Sequence, residues 1–238
     1  MPMDMVSSFL EAKKYLADKE YGLCRYTECI DEEDRTYRVE KTPVGLFKVE
    51  EGEIYGEESE FTLSLPKVEP VVWLRIQEFF KVFARRGLEV AVNLFYDMEK
   101  KKYLLFVPQQ EVNPVHCAIH YSDRWQEIAS RCLFVAEIHS HHVMRAQFSD
   151  IDNMDEKGTR IFGVWGNYMP ATDFLPEFSA FTFRAGSGGF FAKMRTEDFL
   201  EDYYSWANDS VPELAIESMF KPVTVEGDPG FDWREAVV

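Results

Sequence analysis

The stretch CLFVAEIHSHHVMRAQFSDIDNMDEKG, residues 132–158, joins an apolar segment to an acidic one through a cluster of histidines. Its first part, CLFVAEIH, has the apolar character of a buried strand. Its last part, SDIDNMDEKG, is typical of a short helix that has Ser149 as its N-cap. A strand followed by a helix indicates a sheet core in which strands and helices are interleaved.

Similar patterns continue on both sides of this stretch. Apolar residues recur at helical spacing over residues 72–86, and Gly87 ends the predicted helix. A last helix is predicted to start at Thr196 with TEDF, and the acidic chain after Pro222 is expected to be loose. The other predicted strands are LEVAVNLFY, KYLLFVP, HCAIHY, RIFGVWG, SAFTFRAG and GGFFAKM. The sequence therefore predicts an α/β or α+β fold.

The first 65 residues have a different pattern. The first 20 residues are predicted to form an amphipathic helix that has Asp4 as its N-cap. After it, short alternating runs predict antiparallel strands, and the two prolines of LPKVEP mark a predicted boundary. We therefore expect three parts: residues 1–65 with a helix and antiparallel strands, residues 66–196 as the main domain, and residues 197–238 as a C-terminal helix and acidic tail.

Composition narrows the classes of partner. The chain has 26 Lys+Arg against 42 Asp+Glu and a formal charge of −16, which repels phosphate backbones, so nucleic acid is not an expected partner. No apolar run approaches 18 residues and the N-terminus does not resemble a secretion signal, so we expect no membrane span and a cytoplasmic location. The cysteines lack a CxxC spacing and are expected to be reduced structural thiols: Cys24, Cys29, Cys117 and Cys132.

Three of the five histidines lie at positions 139–142. His139 and His141 are two residues apart at the end of the predicted strand, so alternation directs both side chains to one face, with their backbones roughly 6–7 Å apart. Two imidazoles on one face can bind one ion, whereas His142 points the other way. A zinc site needs a third protein ligand and keeps one position for water.

Asp152 is the candidate third ligand because it lies one turn into the predicted helix, which can bring its carboxylate back over the strand end. Together with Ser149, the two histidines and this aspartate form the pattern His-x-His-x7-Ser-x2-Asp. That pattern resembles the core motif of the JAMM zinc metalloproteases, also called MPN+ or JAB domains, of the prokaryotic type. The motif matches at all four positions, and the resemblance covers about residues 66–196.

The resemblance implies an MPN/JAB-like mixed β-sheet flanked by helices. It also implies one Zn²⁺ per chain, bound by His139, His141 and Asp152, and the hydrolysis of amide bonds by a metal-activated water. In the same family pattern, Ser149 donates a hydrogen bond to the oxyanion. A serine in this place is also an ordinary helix N-cap, and one residue can serve both purposes.

The family pattern further requires a glutamate base from an upstream strand. Glu89 follows the predicted helix at the start of the next strand, so we rank it first. Glu137 is its rival because it is nearer in sequence and shares the strand parity of the histidines. Two departures concern substrate preference: His142 stands where family members commonly have Pro, and VAVNLF follows Glu89 where many have a small-residue or Cys-Gly stretch.

The substrate that the resemblance implies is ubiquitin or a ubiquitin-like protein, cut at a peptide or isopeptide bond after its C-terminus. Residues 1–65 are a candidate partner or substrate module, and the oligomeric state stays open. The alternative is a non-catalytic MPN-type interaction scaffold. Amidohydrolases also use His-x-His but need later histidines, and none follows His142; a serine hydrolase is disfavoured because GxSxG is absent.

Overall fold

A computed structural model describes residues 25–31, 33–201, 223–226 and 232–233, with side chains over 30–31 and 33–201. The predicted N-terminal helix lies outside these residues. The described part of the chain combines strands with a few helices, so the predicted α+β class is confirmed. None of the helices in this part is long and apolar enough to cross a membrane.

The elements have the following bounds. The strands are β1 Arg25–Ile30, β2 Thr36–Lys41, β3 Gly45–Glu50, β4 Glu60–Leu63, β5 Ala91–Asp97, β6 Lys102–Phe106, β7 Gln109–Asn113, β8 His116–His120, β9 Leu133–Ser140, β10 Arg160–Met169, β11 Phe178–Ser187, β12 Phe190–Met194, β13 Val223–Glu226 and β14 Asp232–Trp233. The helices are α1 Pro70–Ala84, α2 Asp123–Ala129, α3 Asp150–Asp155 and α4 Thr196–Phe199.

These strands form three sheets, with the orders β1-β2-β3-β4, β12-β11-β10-β9-β5-β6 and β14-β13-β7-β8. The first sheet is antiparallel throughout, as the alternating sequence predicted. In the third, β13 pairs in parallel with β7 and antiparallel with β14. The expectation of loose chain after Pro222 is therefore wrong for β13 and β14, because β13 pairs with β7 and β14 pairs with β13.

The chain divides into two compact units. One comprises residues 1–66, 148–162 and 183–198, and the other comprises 67–147, 163–182 and 199–238. Each unit is assembled from separate stretches of the chain, and the three-part division given above stays a prediction.

The first unit has an apolar core to which the N-terminal sheet contributes. Val39, Phe47 and Val49 are buried on β2 and β3, and Phe191 of β12 is buried in the same unit. The backbone N–H of Phe191 donates to the carbonyl of Ile54, 2.9 Å away, between β3 and β4. Burial of such side chains is the main favourable term in folding, so the N-terminal strands are part of this unit's core.

The second unit is organised around helix α1. Its buried side chains follow the predicted helical spacing: Val72, Trp73, Ile76, Phe79, Phe80, Phe83 and Ala84. Gly87 ends the helix at a φ of +67°, and its N–H donates to the Ala84 carbonyl while the N–H of Leu88 donates to that of Phe83. These two bonds form a Schellman motif, which fixes the direction in which the chain enters β5.

A satellite cluster of this unit contains Phe95, Phe106, Ile128 and Cys132. Burial raises the pKa of the Cys132 thiol, which favours the protonated form at neutral pH. Cys117 and Cys132 form no disulfide bond with each other, and Cys132 is buried whereas Cys117 is partly buried. The side chains of Cys24 and Cys29 lie outside the described residues.

Candidate metal centre

The end of strand β9 brings two imidazoles together. The Nε2 atoms of His139 and His141 are 3.1 Å apart, and each residue is only 8% exposed. Two nitrogen ligands of a tetrahedral zinc ion, with Zn–N bonds of about 2.05 Å, are about 3.3 Å apart. The observed spacing therefore fits a pair of zinc ligands.

The surrounding backbone fixes the orientation and tautomer of His141. Its Nδ1 atom lies 3.2 Å from the carbonyl oxygen of Arg145, which can only accept a hydrogen bond. The neutral ring therefore carries its hydrogen on Nδ1 and its lone pair on Nε2. The backbone N–H of His141 donates to the Trp165 carbonyl at 2.6 Å. A hydrogen bond to the second ring nitrogen is the usual arrangement for a metal-binding histidine.

The third member of the cluster is Asp152. One ligand atom from each of His139, His141 and Asp152 lies within 4.8 Å of the others. Ser149 orients this carboxylate: its N–H and its hydroxyl donate to Asp152 Oδ2 at 2.6 and 2.7 Å, and the N–H of Asp152 donates to Ser149 Oγ at 3.2 Å. This reciprocal capping box starts helix α3 as the sequence predicted. Two imidazoles and one carboxylate are a donor set that zinc accepts.

Strand register brings Glu89 to the histidines. Ala91 pairs with His139 and Val92 with Ile138. One residue beyond that ladder, the N–H of Ser140 donates to the Val90 carbonyl and the N–H of Val90 donates to Ser140 Oγ. The same antiparallel register places Glu89 opposite His141. Accordingly, Glu89 Oε1 lies 3.9 Å from His141 Nε2, and Glu89 is only 4% exposed.

A buried glutamine holds the chain next to Glu89. The N–H of Ala91 donates to Gln110 Oε1 at 2.7 Å, and Gln110 Nε2 donates to the Ala91 carbonyl at 2.9 Å. The amide of Gln110 thus satisfies both backbone groups of Ala91, as a neighbouring strand would. The N–H of Glu89 itself donates to the Asn113 carbonyl at 3.0 Å. Sequence reasoning missed Gln110, although the alternation of QQEVN on β7 was a signal for it.

The rival glutamate has a different position. Glu137 lies on β9 opposite Asn93, two residues before His139, and it is partly buried. By the register, it is separated from Glu89 by four residues along the sheet. The structure thus places Glu89 next to His141, whereas Glu137 lies on β9 two residues before His139.

His142 has a separate role in the loop that follows β9. Its Nε2 atom lies 2.9 Å from the Pro114 carbonyl, and its Nδ1 atom accepts the N–H of Val143 at 2.8 Å. Its φ is +38°, in the left-handed region. Both ring nitrogens are therefore used in hydrogen bonds to the backbone, in keeping with its exclusion from the predicted metal ligands.

The described residues thus form an α+β protein with a cluster of His139, His141 and Asp152 that could hold a metal ion. Searches of protein-family models and of curated proteins found no match to this sequence.

Proposed function

We propose that this protein is a JAMM-type zinc-dependent hydrolase of peptide or isopeptide bonds. The observation that carries the proposal is the convergence of His139, His141 and Asp152 on one small volume, with a buried carboxylate 3.9 Å from His141 Nε2. A general base and a metal-ligand set within contact distance of each other are the parts that hydrolysis by an activated water requires.

In this proposal, the two imidazoles and the Asp152 carboxylate bind the metal, and the Glu89 carboxylate transfers a proton. A zinc ion bound by the two imidazoles and the Asp152 carboxylate would lower the pKa of a coordinated water to about 7 and so supply a nucleophile at neutral pH. Glu89 accepts the proton of the attacking water at a carboxylate oxygen and returns it to the leaving nitrogen. Its low exposure and its fixed backbone reduce the reorganisation that this transfer needs.

Ser149 is the candidate oxyanion donor. It is exposed, so a bound substrate can reach its hydroxyl. That hydroxyl has one hydrogen, which it donates to Asp152 Oδ2 at 2.7 Å. Donation to a developing oxyanion therefore requires the hydroxyl to turn away from Asp152, while the Ser149 backbone N–H continues to hold the carboxylate.

As substrate we propose the C-terminus of a ubiquitin-like protein, attached through a peptide or an isopeptide bond. The support for this choice is the match of His139, His141, Ser149 and Asp152 to the JAMM pattern, together with the acidity of the chain, which complements a basic ubiquitin-like face. The alternative, a non-catalytic scaffold on the same fold, has no need for a buried glutamate beside two converging imidazoles.

The test is a cleavage assay with full-length protein. Fusions of ubiquitin-like proteins to a reporter, and the same proteins joined to a lysine side chain, are incubated with enzyme in the presence of zinc, after chelation, and after zinc is restored. We expect cleavage that stops on chelation and returns with zinc. A folded protein that binds zinc and leaves every conjugate intact would instead favour the scaffold.

A further inference from the structure

Helix α3, which carries Asp152, has little apolar contact to hold it in place. None of its six side chains is fully buried, and its two large apolar residues, Ile151 and Met154, are about half or more exposed. A helix of this length is not stable by itself in water. Its position must therefore depend on specific contacts made by residues next to Asp152.

Arg184 of β11 supplies such contacts at the C-terminal end of the helix. Its Nε and Nη2 atoms donate to Glu156 Oε2 at 2.9 and 2.6 Å, and its Nη1 atom donates to Asn153 Oδ1 at 2.5 Å. Arg184 is only 1% exposed, and Glu156 is also buried. A planar guanidinium that donates to two side chains fixes both in direction as well as in distance.

The same guanidinium also contacts the residue before Ser149. It lies 3.7 Å from the ring centroid of Phe148 and 3.6 Å from that of Phe191. Its Nη1 atom further donates to the hydroxyl of Tyr55, from the N-terminal segment. Arg184 therefore contacts both ends of the segment that contains Ser149 and Asp152. It packs against the ring of Phe148 at one end and donates hydrogen bonds to Glu156 at the other.

Charge gives a second reason for this arrangement. Four carboxylates lie within seven residues here, namely Asp150, Asp152, Asp155 and Glu156. Like charges at these helical spacings repel each other. Arg184 is a permanently charged cation placed against this acidic helix, so it offsets part of that repulsion where little solvent screens it.

We propose that Arg184 is a positioning residue for the metal centre. By holding residues 148–156, it keeps the Asp152 carboxylate within reach of the two histidines. The inference rests on the proposed zinc site and adds to it a residue 32 positions after Asp152 that has no part in the motif.

The test measures zinc affinity of the full-length protein by competition with a chelating dye. We expect Arg184→Met to weaken zinc binding by about 10- to 100-fold, the range found for residues that orient metal ligands. Arg184→Lys keeps the charge but lacks the planar fork, so an intermediate loss is expected. Asn153→Ala removes one contact of Arg184 and should weaken zinc binding less than Arg184→Met.

A double-mutant cycle separates positioning from general stability. If Arg184 acts through Asp152, Arg184→Met should cost little further affinity on an Asp152→Asn background, where that ligand is already lost. Val49→Ala is the matched control, because Val49 is buried in the same unit. We expect it to lower the thermal midpoint while leaving zinc affinity unchanged.

Two results would overturn the inference. One is zinc affinity unchanged in both Arg184→Met and Asn153→Ala; the other is an equal loss from Arg184→Met with and without Asp152. If Arg184→Met does not fold, Asn153→Ala and Phe148→Leu are measured in the same cycle and decide in its place. Failure of the wild-type protein to bind zinc would instead refute the zinc site itself, which is a distinct outcome.

Discussion

Glu89 is the proposed general base, and Glu137 is its rival for that role. Glu89→Gln keeps the shape and burial of the side chain but removes its ability to accept a proton. We expect hydrolysis to fall by about 10²- to 10⁴-fold with zinc content unchanged, because a general base contributes about that much. Rates of cleavage and zinc content per chain are the measurements.

Glu137→Gln is the matched control for this substitution, since Glu137 lies on the adjacent strand opposite Asn93. We expect it to retain most of the activity. Normal turnover by Glu89→Gln together with an inactive Glu137→Gln would reassign the base to Glu137.

His142 gives a prediction about the backbone rather than the chemistry. Its φ of +38° is outside the range of proline, which is fixed near −65°. We expect His142→Pro to lower the free energy of unfolding by more than about 1 kcal/mol. His142→Gly tolerates this φ, so it should be less harmful, although it too loses the hydrogen bonds and the burial of the imidazole. Chemical denaturation of both variants is the measurement, and equal free energies of unfolding for the two would contradict this expectation.

At the residue scale, spacing predicted which side chains converge, because strand parity and a helix of known pitch determine where they point. The sequence separated Glu89 from Glu137 only through the resemblance, whereas the register of β5 against β9 gives a physical reason. Arg184 had no sequence signal. A lone arginine in the strand segment SAFTFRAG looks like a solvent-facing residue until the acidic and aromatic groups around it are known.

At the element scale, the end of α1 determines how Glu89 enters the sheet. Gly87 has a φ of +67°, and a Cβ added there would meet no atom within 4 Å. The cost of Gly87→Ala therefore comes from the backbone conformation alone, about 1 kcal/mol. We expect a loss of that size in chemical denaturation, and an unchanged free energy of unfolding would contradict the Schellman assignment.

The longer elements were predictable because their apolar patterns are strong, as in α1 and β9. Helix α2 and strand β7 were not predicted. Helix α2 has seven residues and only one buried side chain, Ile128, so its periodicity is too short to recognise. Strand β7 alternates correctly, but one of its two buried residues is Gln110, which is inside only because its amide bonds to the backbone of Ala91.

At the scale of the whole molecule, the N-terminal strands share a compact unit with helix α3. Phe47 and Val49 are buried in that unit, and Tyr55 accepts a hydrogen bond from Arg184. We therefore expect deletion of residues 1–65 to abolish cooperative unfolding, because the core of this unit would be exposed to water. Circular dichroism and thermal unfolding of residues 66–238 are the measurements.

A fragment of residues 66–238 that unfolds cooperatively and binds zinc as tightly as the full chain would contradict this expectation. It would favour instead the separable partner or substrate module that the sequence suggested for residues 1–65. The sequence could not decide between these two roles, because alternating strands have the same pattern whether they pack on their own helix or on the rest of the chain.

The most direct test of the central claim is the zinc content of purified full-length protein, compared with that of His141→Ala. We expect about one zinc per wild-type chain and little in the variant, because a tetrahedral site that loses one of three protein ligands binds much more weakly. A folded wild-type protein that contains no zinc after exposure to the metal, or a His141→Ala variant that retains as much as the wild type, would contradict it.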